Sequence, residues 1–267
     1  MYKLLAMDID DTLLNKKREL TDRTKDAIER AKEAGVHITL ATGRSFTGAK
    51  RVSDALSLKG PMINYGGAVI TDIESGKPIF FEEMDSDRII ELLELAREIG
   101  IHAHIYRDDT VISEFRNEWV KGYTGILSLP LKVDPDLRYK KWTKIPKVLF
   151  MTYPDHADEL IPILKKKYEG ILKVSGSTAG FIEFNNLGFD KGSALKRIAQ
   201  DLGIKQSEVV AAGDNTLDAE MIQWAGLGVA VDNAKDSIKE LADIVVPSCD
   251  DDGMAYLIDN YILPSIK

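Results

Sequence analysis

Two aspartates near the start of the chain are the first residues that could carry chemistry. Asp8 and Asp10 directly follow the apolar run at residues 4–7. An apolar run without alternation that ends abruptly in polar residues predicts a short buried strand. Both carboxylates then lie on one side of the chain at the carboxyl end of the strand, where open α/β sheets bind their ligands. A bound cation would keep two such neighbouring carboxylates ionised, whereas a solvated acidic turn is the alternative interpretation.

Three further polar positions follow, or begin, predicted elements of the same kind. Thr42 comes after the apolar run at residues 36–41, and Lys191 opens a predicted helix. Asp214 and Asp218 follow the apolar run at residues 209–212. Together, a carboxylate nucleophile, a hydroxyl, an ammonium group and metal-binding carboxylates suit phosphoryl transfer, which needs positioning and neutralisation of phosphate charge.

The order of the predicted elements indicates how these residues are brought together. Strand, helix and strand over residues 4–41 form a βαβ unit, so its two strands should be parallel and adjacent. Between residues 84 and 187, helices followed by paired strands predict an α+β layer with an antiparallel sheet, and the parallel alternation returns at residue 190. The sequence therefore predicts an α/β protein with a Rossmann-like, doubly wound parallel sheet. This core would comprise residues 1–83 and 188–267, interrupted by an inserted α+β cap at residues 84–187.

Four segments carry a resemblance to a known family. They are Asp8-Ile9-Asp10-Asp11-Thr12, Thr42-Gly43-Arg44, Asp190-Lys191-Gly192 and Gly213-Asp214-Asn215-Thr216-Leu217-Asp218. In these segments, and in the position of the inserted cap, the chain resembles the haloacid dehalogenase-like phosphatases and, within them, the Cof-type group. It departs from the family pattern at Asp11, where glycine is usual, and at Leu217, where asparagine is common.

The resemblance implies a role for each matching position. Asp8 would be the nucleophile that forms an aspartyl phosphate, and Asp10 the general acid and base. The phosphate-binding residues would be Thr42, Gly43, Lys191 and Asn215. The metal site would hold Mg²⁺ through Asp8, Asp10, Asp214 and Asp218. Arg44 and Asn64 are candidate substrate contacts. Glu183 lies outside the four segments and is a further candidate, because a simple count along the chain just before its return to the core points this side chain toward the domain junction. The implied enzyme is a Mg²⁺-dependent phosphatase that hydrolyses a small phosphorylated metabolite such as a sugar phosphate.

Composition narrows the classes of partner. The 267 residues carry a net charge of −8 and a calculated pI of about 5.2, which argues against nucleic acid as a partner. Cys249 is the single cysteine and cannot form an internal disulfide, as expected in a reducing compartment. No apolar stretch approaches about 18 residues, so we expect no membrane span and a cytoplasmic location. The sequence does not set the oligomeric state, and a monomer is compatible with it.

Two other functions stay open at this point. A phosphomutase of the same superfamily would use the same aspartyl phosphate but return the phosphate to its substrate. A phosphorylation-dependent signalling module would also combine aspartates, a hydroxyl and a lysine on an α/β sheet. Outside the four segments, we expect structural roles for His102 and His104 and for the aromatic residues between 115 and 142. The lysines at 140, 141, 144, 147 and 165–167 are expected to form a solvated face.

Overall fold

A five-stranded parallel sheet forms the base of the structure, a computed structural model that describes residues 1–266. From edge to edge its strands are Ile244–Val246 (β14), Leu227–Val231 (β13), Val209–Gly213 (β12), Leu4–Met7 (β1) and His37–Leu40 (β2). β1 lies between β12 and β2, with Leu4 opposite Val209 on one side and His37 on the other. The predicted parallel pairing of the first two strands is therefore confirmed, as is the predicted fold class.

Helices cover both faces of this sheet. They are Asp22–Glu33 (α1), Phe46–Ala55 (α2), Lys191–Asp201 (α6), Ala219–Trp224 (α7), Asp236–Lys239 (α8) and Gly253–Leu257 (α9). Thr21 caps α1, because its side chain accepts a hydrogen bond from the Thr24 amide at 3.1 Å. Helix α8 is a single turn, and after α9 the helical path continues as a wider turn over Ile258–Ile262.

A small antiparallel sheet lies beside β2. It consists of Pro61–Asn64 (β3), Val69–Asp72 (β4) and Pro78–Phe81 (β5). One parallel bridge, between Ala41 and Ile63, connects it to the end of β2. This small sheet leads the chain into the inserted segment.

The inserted segment forms a six-stranded sheet with three helices, within residues 86–186. In spatial order its strands are Leu172–Gly176 (β10), Phe181–Asn186 (β11), Val148–Met151 (β9), His102–Arg107 (β6), Thr110–Ser113 (β7) and Leu131–Val133 (β8). The pairs are antiparallel except for β7 with β8. The helices are Ser86–Glu98 (α3), Glu118–Leu127 (α4) and Pro154–Lys167 (α5). We call this segment the cap, and the remainder the core.

Apolar packing follows the same division. One cluster of buried side chains lies around the parallel sheet, and a second lies between the cap sheet and helices α3 and α5. A third joins the two parts, because Tyr65, Ala68 and Val69 of the core pack with Tyr106 and Tyr123 of the cap. Within residues 1–266, no helix combines the length and apolar character needed to cross a membrane.

The structure corrects two expectations about the cap. Lys147 is not on a solvated face but 1% exposed, whereas Lys140, Lys141 and Lys144 are exposed as expected. The aromatic residues also differ among themselves. Trp142 and Tyr123 are buried, but Phe115 and Tyr139 are 54% and 70% exposed.

Candidate active site

The carboxyl edge of the parallel sheet collects the polar residues of the four segments. Asp8 directly follows β1, Thr42 comes two residues after β2, and Asp214 directly follows β12. Because β1 pairs with both β2 and β12, these strand ends meet at one edge. Lys191 is the first residue of α6, whose N-terminus is fixed by the Asp190 side chain accepting from the Ser193 amide at 2.8 Å.

Lys191 links two of the carboxylates. Its Nζ donates to Asp8 Oδ1 at 2.5 Å and also to Asp218 Oδ1. Burial lowers the pKa of Lys191, but Asp218 and Asp8 outweigh it and raise that pKa above its ordinary value. Asp218 is itself held in place, since its Oδ2 accepts from the backbone amides of Asp214 at 3.1 Å and Asn215 at 3.0 Å. The lysine is therefore a fixed positive charge at this edge of the sheet.

Three carboxylates converge closely enough to share a cation. Oxygen atoms of Asp8, Asp214 and Asp218 all lie within 4.8 Å of one another. Burial raises the pKa of Asp8 to about 7 despite Lys191, and burial with Asp218 and Asp8 nearby raises the pKa of Asp214 well above its usual value. Such a group of hard oxygen donors with excess negative charge fits Mg²⁺. Because both oxygens of Asp218 are already hydrogen-bonded, Asp8 and Asp214 have the freer oxygens for a metal.

Asp10 lies beside this cluster, and Arg44 holds it. Nε and Nη2 of Arg44 donate to the two oxygens of Asp10 at 2.8 and 2.5 Å, a bidentate pair. Arg44 also donates through Nη1 to the Gly48 carbonyl oxygen at 3.1 Å. Asp10 therefore lies in the same cavity as Asp8, and Arg44 of the segment Thr42-Gly43-Arg44 holds it there.

The loop after β2 places a buried hydroxyl in the same cavity as Asp8. Thr42 is 1% exposed, and its Oγ1 accepts from the Arg44 amide at 3.1 Å. Leu217 packs against this loop, since a Cβ atom on Gly43 would lie 3.1 Å from Leu217 Cδ2, and one on Gly66 would lie 3.2 Å from Leu217 Cδ1. The departure at position 217 thus has a packing role between two loops of the site.

The other predicted contact residues lie in different surroundings. Asn215 lines the cavity, and its Nδ2 donates to the Ser177 carbonyl oxygen of the cap. Glu183 also lines the cavity but pairs with Lys147 and accepts from Ser177 Oγ at 2.7 Å. Asn64 is buried, neither atom of its amide group has a hydrogen-bond partner within residues 1–266, and it is not among the residues that line the cavity.

Apart from Asn64, all the predicted site residues line one cavity of about 700 Å³. Core residues form its floor, and cap residues such as Trp119, Tyr123 and Phe181 form its opposite wall. From the sequence, a structural role was expected for Tyr123 and a solvated position for Lys147. Tyr123 lines the cavity, and Lys147 contacts the lining residues Gly43 and Glu183, because distant segments of the chain pack together.

The chain is similar to known proteins over almost its whole length. A sequence model of the family described as haloacid dehalogenase-like hydrolase matches residues 5–258. The Bacillus subtilis protein YxeH is 32% identical over 268 residues, which cover 98% of this chain and 99% of YxeH. The 5-amino-6-(5-phospho-D-ribitylamino)uracil phosphatase YcsE of the same organism is 30% identical over 261 residues, covering 98% of this chain and 96% of its own. The crystal structure of a haloacid dehalogenase-like hydrolase from Bacteroides thetaiotaomicron superposes with a TM-score of 0.83 at 27% identity, covering 97% of this chain and 99% of that one.

Proposed function

The chain belongs to the haloacid dehalogenase-like hydrolases, and we propose that it is a Mg²⁺-dependent phosphatase of small phosphomonoesters that works through an aspartyl phosphate on Asp8. The resemblance predicted from the four segments, including the Cof-type group, is confirmed, and so is the enzyme class. The observation that carries the finer proposal is the convergence of two other carboxylates, Asp214 and Asp218, and of the buried Lys191 ammonium group on Asp8.

Asp8 is proposed as the nucleophile. Its carboxylate lines the cavity, and Lys191, which lines it too, donates a hydrogen bond to Asp8 Oδ1. Attack of Asp8 on phosphorus forms the aspartyl phosphate and releases the alcohol, and water then hydrolyses the acyl phosphate. Lys191 stabilises the negative charge that the phosphoryl group carries, and Thr42 and Asn215 supply further hydrogen-bonding groups at the same edge.

Asp10 is proposed to protonate the leaving alkoxide and then to accept a proton from the attacking water. It lies two residues after Asp8, and its link to Arg44 keeps the carboxylate inside the cavity rather than in solvent. Asp8, the backbone carbonyl of Asp10 and Asp214 would hold Mg²⁺, with Asp218 positioning Lys191. When bound, Mg²⁺ neutralises charge on the phosphate and on these carboxylates, which otherwise repel each other.

The substrate is proposed to be a phosphorylated metabolite small enough for the cavity of about 700 Å³. The cap covers the floor of the cavity, so the leaving group must fit between the two parts, and water is restricted there during transfer. YcsE, named for a ribitylaminouracil phosphate, indicates the size of leaving group that a relative of similar length accepts.

Release of inorganic phosphate tests this proposal. The panel comprises phenyl phosphate, sugar phosphates and the ribitylaminouracil phosphate named for YcsE. We expect hydrolysis that EDTA abolishes and Mg²⁺ restores. Asp8→Asn should remove activity, and Asp10→Asn should slow turnover by at least about 100-fold while the protein stays folded. Hydrolysis at the wild-type rate by Asp8→Asn would contradict the assignment of the nucleophile. Isomerisation of a hexose phosphate without phosphate release would indicate a mutase instead.

A further inference from the structure

A chain of buried hydrogen bonds crosses the cap and ends at the cavity. Asn117 Nδ2 lies 3.1 Å from His102 Nδ1, and His102 Nε2 lies 3.0 Å from His104 Nδ1. His104 Nε2 lies 2.9 Å from the Tyr106 hydroxyl oxygen, which in turn lies 2.6 Å from that of Tyr123. His104 and Tyr106 are fully buried, and His102 and Tyr123 are exposed by less than a tenth. We call these five side chains the cap relay.

The first member of the cap relay has a fixed orientation. Asn117 caps helix α4, because its Oδ1 accepts from the Val120 amide at 3.1 Å. Its Nδ2 group therefore faces His102, and an amide nitrogen of this kind can only donate. Nδ1 of His102 must accept, which puts the single proton of the neutral imidazole on Nε2.

Assigning donors and acceptors in the same way sets the direction of each following hydrogen bond. His102 Nε2 donates to His104 Nδ1, so the proton of His104 lies on Nε2 and is donated to the Tyr106 oxygen. The Tyr106 hydroxyl then donates to the Tyr123 oxygen. Both histidines are neutral in this scheme, in agreement with burial, which lowers the pKa of His102 to about 4 and that of His104 well below its usual value.

Tyr123 consequently keeps its own proton for the cavity. Within residues 1–266, no acceptor is hydrogen-bonded to its hydroxyl proton, and the residue lines the same cavity as Asp10 and Arg44. Its ring packs edge-on against Phe181, with ring centroids 5.7 Å apart, which helps to hold the side chain at the cavity. Burial raises the pKa of Tyr123 above its usual value, and the hydroxyl stays protonated at neutral pH.

We infer that Tyr123 is a specificity-determining residue, which donates a hydrogen bond to an acceptor oxygen of the leaving group: a hydroxyl, ring or carbonyl oxygen. The inference rests on the proposed phosphatase function. The cap relay acts through Tyr123 by fixing it as a donor. A leaving group without oxygen beyond the ester bond leaves this donor unsatisfied, and it is therefore selected against.

The ratio of two kcat/KM values tests this contact. One is for the best oxygenated ester among glucose 6-phosphate, ribose 5-phosphate, erythrose 4-phosphate and the ribitylaminouracil phosphate. The other is for phenyl phosphate, whose leaving group has no second oxygen. We expect Tyr123→Phe to lower the ratio about five- to tenfold, mainly through KM for the oxygenated ester. Tyr168→Phe is the matched control, because it removes a buried cap hydroxyl that donates to Glu91, away from the cavity.

Asn117→Asp tests the direction of the cap relay from a distance. An aspartate caps α4 equally well but can only accept from His102, which reverses each bond and draws the Tyr123 proton inward. We expect ¹⁵N NMR to show both histidines protonated on Nε2 in the wild type and on Nδ1 in Asn117→Asp. The selectivity of that variant should fall as in Tyr123→Phe, although position 117 does not line the cavity.

The outcomes separate the two proposals. An unchanged ratio in Tyr123→Phe, or histidines protonated on Nδ1 with wild-type selectivity in Asn117→Asp, overturns the role of Tyr123 alone. A wild-type protein that hydrolyses none of the esters overturns the proposed function and, with it, the substrate contact.

Discussion

Lys147 and Glu183 form an ion pair that is almost completely buried at the junction of cap and core. The two side chains are 1% and 4% exposed, and Lys147 Nζ also donates to the Gly43 carbonyl oxygen at 2.6 Å. Burial lowers the pKa of Lys147, an effect that Glu183 opposes. From the sequence, Lys147 was expected on a solvated face with the neighbouring lysines, because lysine side chains are usually exposed. Only the antiparallel pairing of β9 with β11 brings Glu183 to it.

Removing one partner of this ion pair should lower the free energy of unfolding more than removing both partners. Lys147→Met leaves the Glu183 carboxylate buried with Ser177 as its remaining side-chain donor, and we expect a loss of about 3–5 kcal/mol in the free energy of unfolding. The double variant Lys147→Met/Glu183→Leu should recover a large part of that loss. Urea denaturation of the three proteins measures this, and a double variant less stable than Lys147→Met would contradict it.

Asp11 occupies a backbone conformation that explains the glycine usual in the family. Its φ and ψ are 57° and 13°, in the left-handed region, which glycine adopts without strain and aspartate tolerates. The negative charge of Asp11 affects the site, because it contributes to the raised pKa of Asp214.

Glycine and alanine at position 11 should therefore differ in stability. Both substitutions remove the same charge, but only alanine keeps a Cβ atom in the left-handed conformation. We expect Asp11→Gly to be more stable than Asp11→Ala by about 1 kcal/mol, after the greater flexibility of glycine in the unfolded chain is included. Urea unfolding at one pH compares them, and equal stabilities would show that the loop relaxes away from this conformation.

At the scale of elements, strands buried on both faces were the easiest to predict. β1, β12 and β13 are buried throughout, so their sequences are short apolar runs, and their alternation with helices predicts parallel pairing. This alternation alone assigns the residues just beyond these strands to one edge of the sheet. Helices α2 and α4 were not predicted, because Gly48, Gly122 and Gly125 interrupt the helical pattern and tertiary packing decides their conformation.

The turn between β6 and β7 fastens the cap to the core. Asp109 Oδ2 accepts from both the amide and the hydroxyl of Thr47 at 2.7 Å, and its Oδ1 accepts from the Tyr65 hydroxyl at 2.6 Å. Its partners in the core lie more than 40 residues away in the chain, so the sequence around the turn does not indicate them. One carboxylate thus satisfies three donors of the core.

Asp109→Asn should weaken this fastening without straining the turn. Asparagine tolerates the left-handed conformation at this position, where φ is 56°, but it has one acceptor oxygen instead of two. Weaker attachment of the cap over the cavity should raise KM for the best substrate about threefold, with faster hydrogen exchange at residues 107–110. Asp108→Asn is the control, since Asp108 lies in the same turn and makes no hydrogen bond to the core within residues 1–266. Equal KM values for the two variants would contradict the role of Asp109.

For the whole molecule, the site residues of the core can be recognised from the local sequence around them, whereas those of the cap cannot. Asp8, Thr42, Lys191 and Asp214 each stand at the end of an element, so the topology alone brings them together. Trp119 and Tyr123 reach the cavity only because the cap packs over the core. Long-range packing of this kind leaves no periodic signal in the sequence, which is why the core residues of the site were predicted and the cap relay was not.

The acidic cluster should make the stability of the whole protein depend on pH and Mg²⁺ together. Burial raises the pKa of Asp8 to about 7 from an ordinary value of 3.8, and it raises that of Asp214 as well. Between these pH values the folded protein holds protons that the unfolded chain has released. Stability in EDTA should therefore be highest at low pH and fall as pH rises through 7.

Mg²⁺ should reverse this trend, because it binds the ionised carboxylates and competes with their protons. We expect Mg²⁺ to raise Tm by about 5 °C or more at about pH 8 and by much less at about pH 5. Asp8→Asn removes one of the titrating groups, so it should flatten the pH dependence in EDTA and reduce the gain from Mg²⁺. Differential scanning calorimetry of both proteins, with and without Mg²⁺, measures each quantity. Equal gains in Tm at the two pH values would show that Mg²⁺ does not bind at these carboxylates.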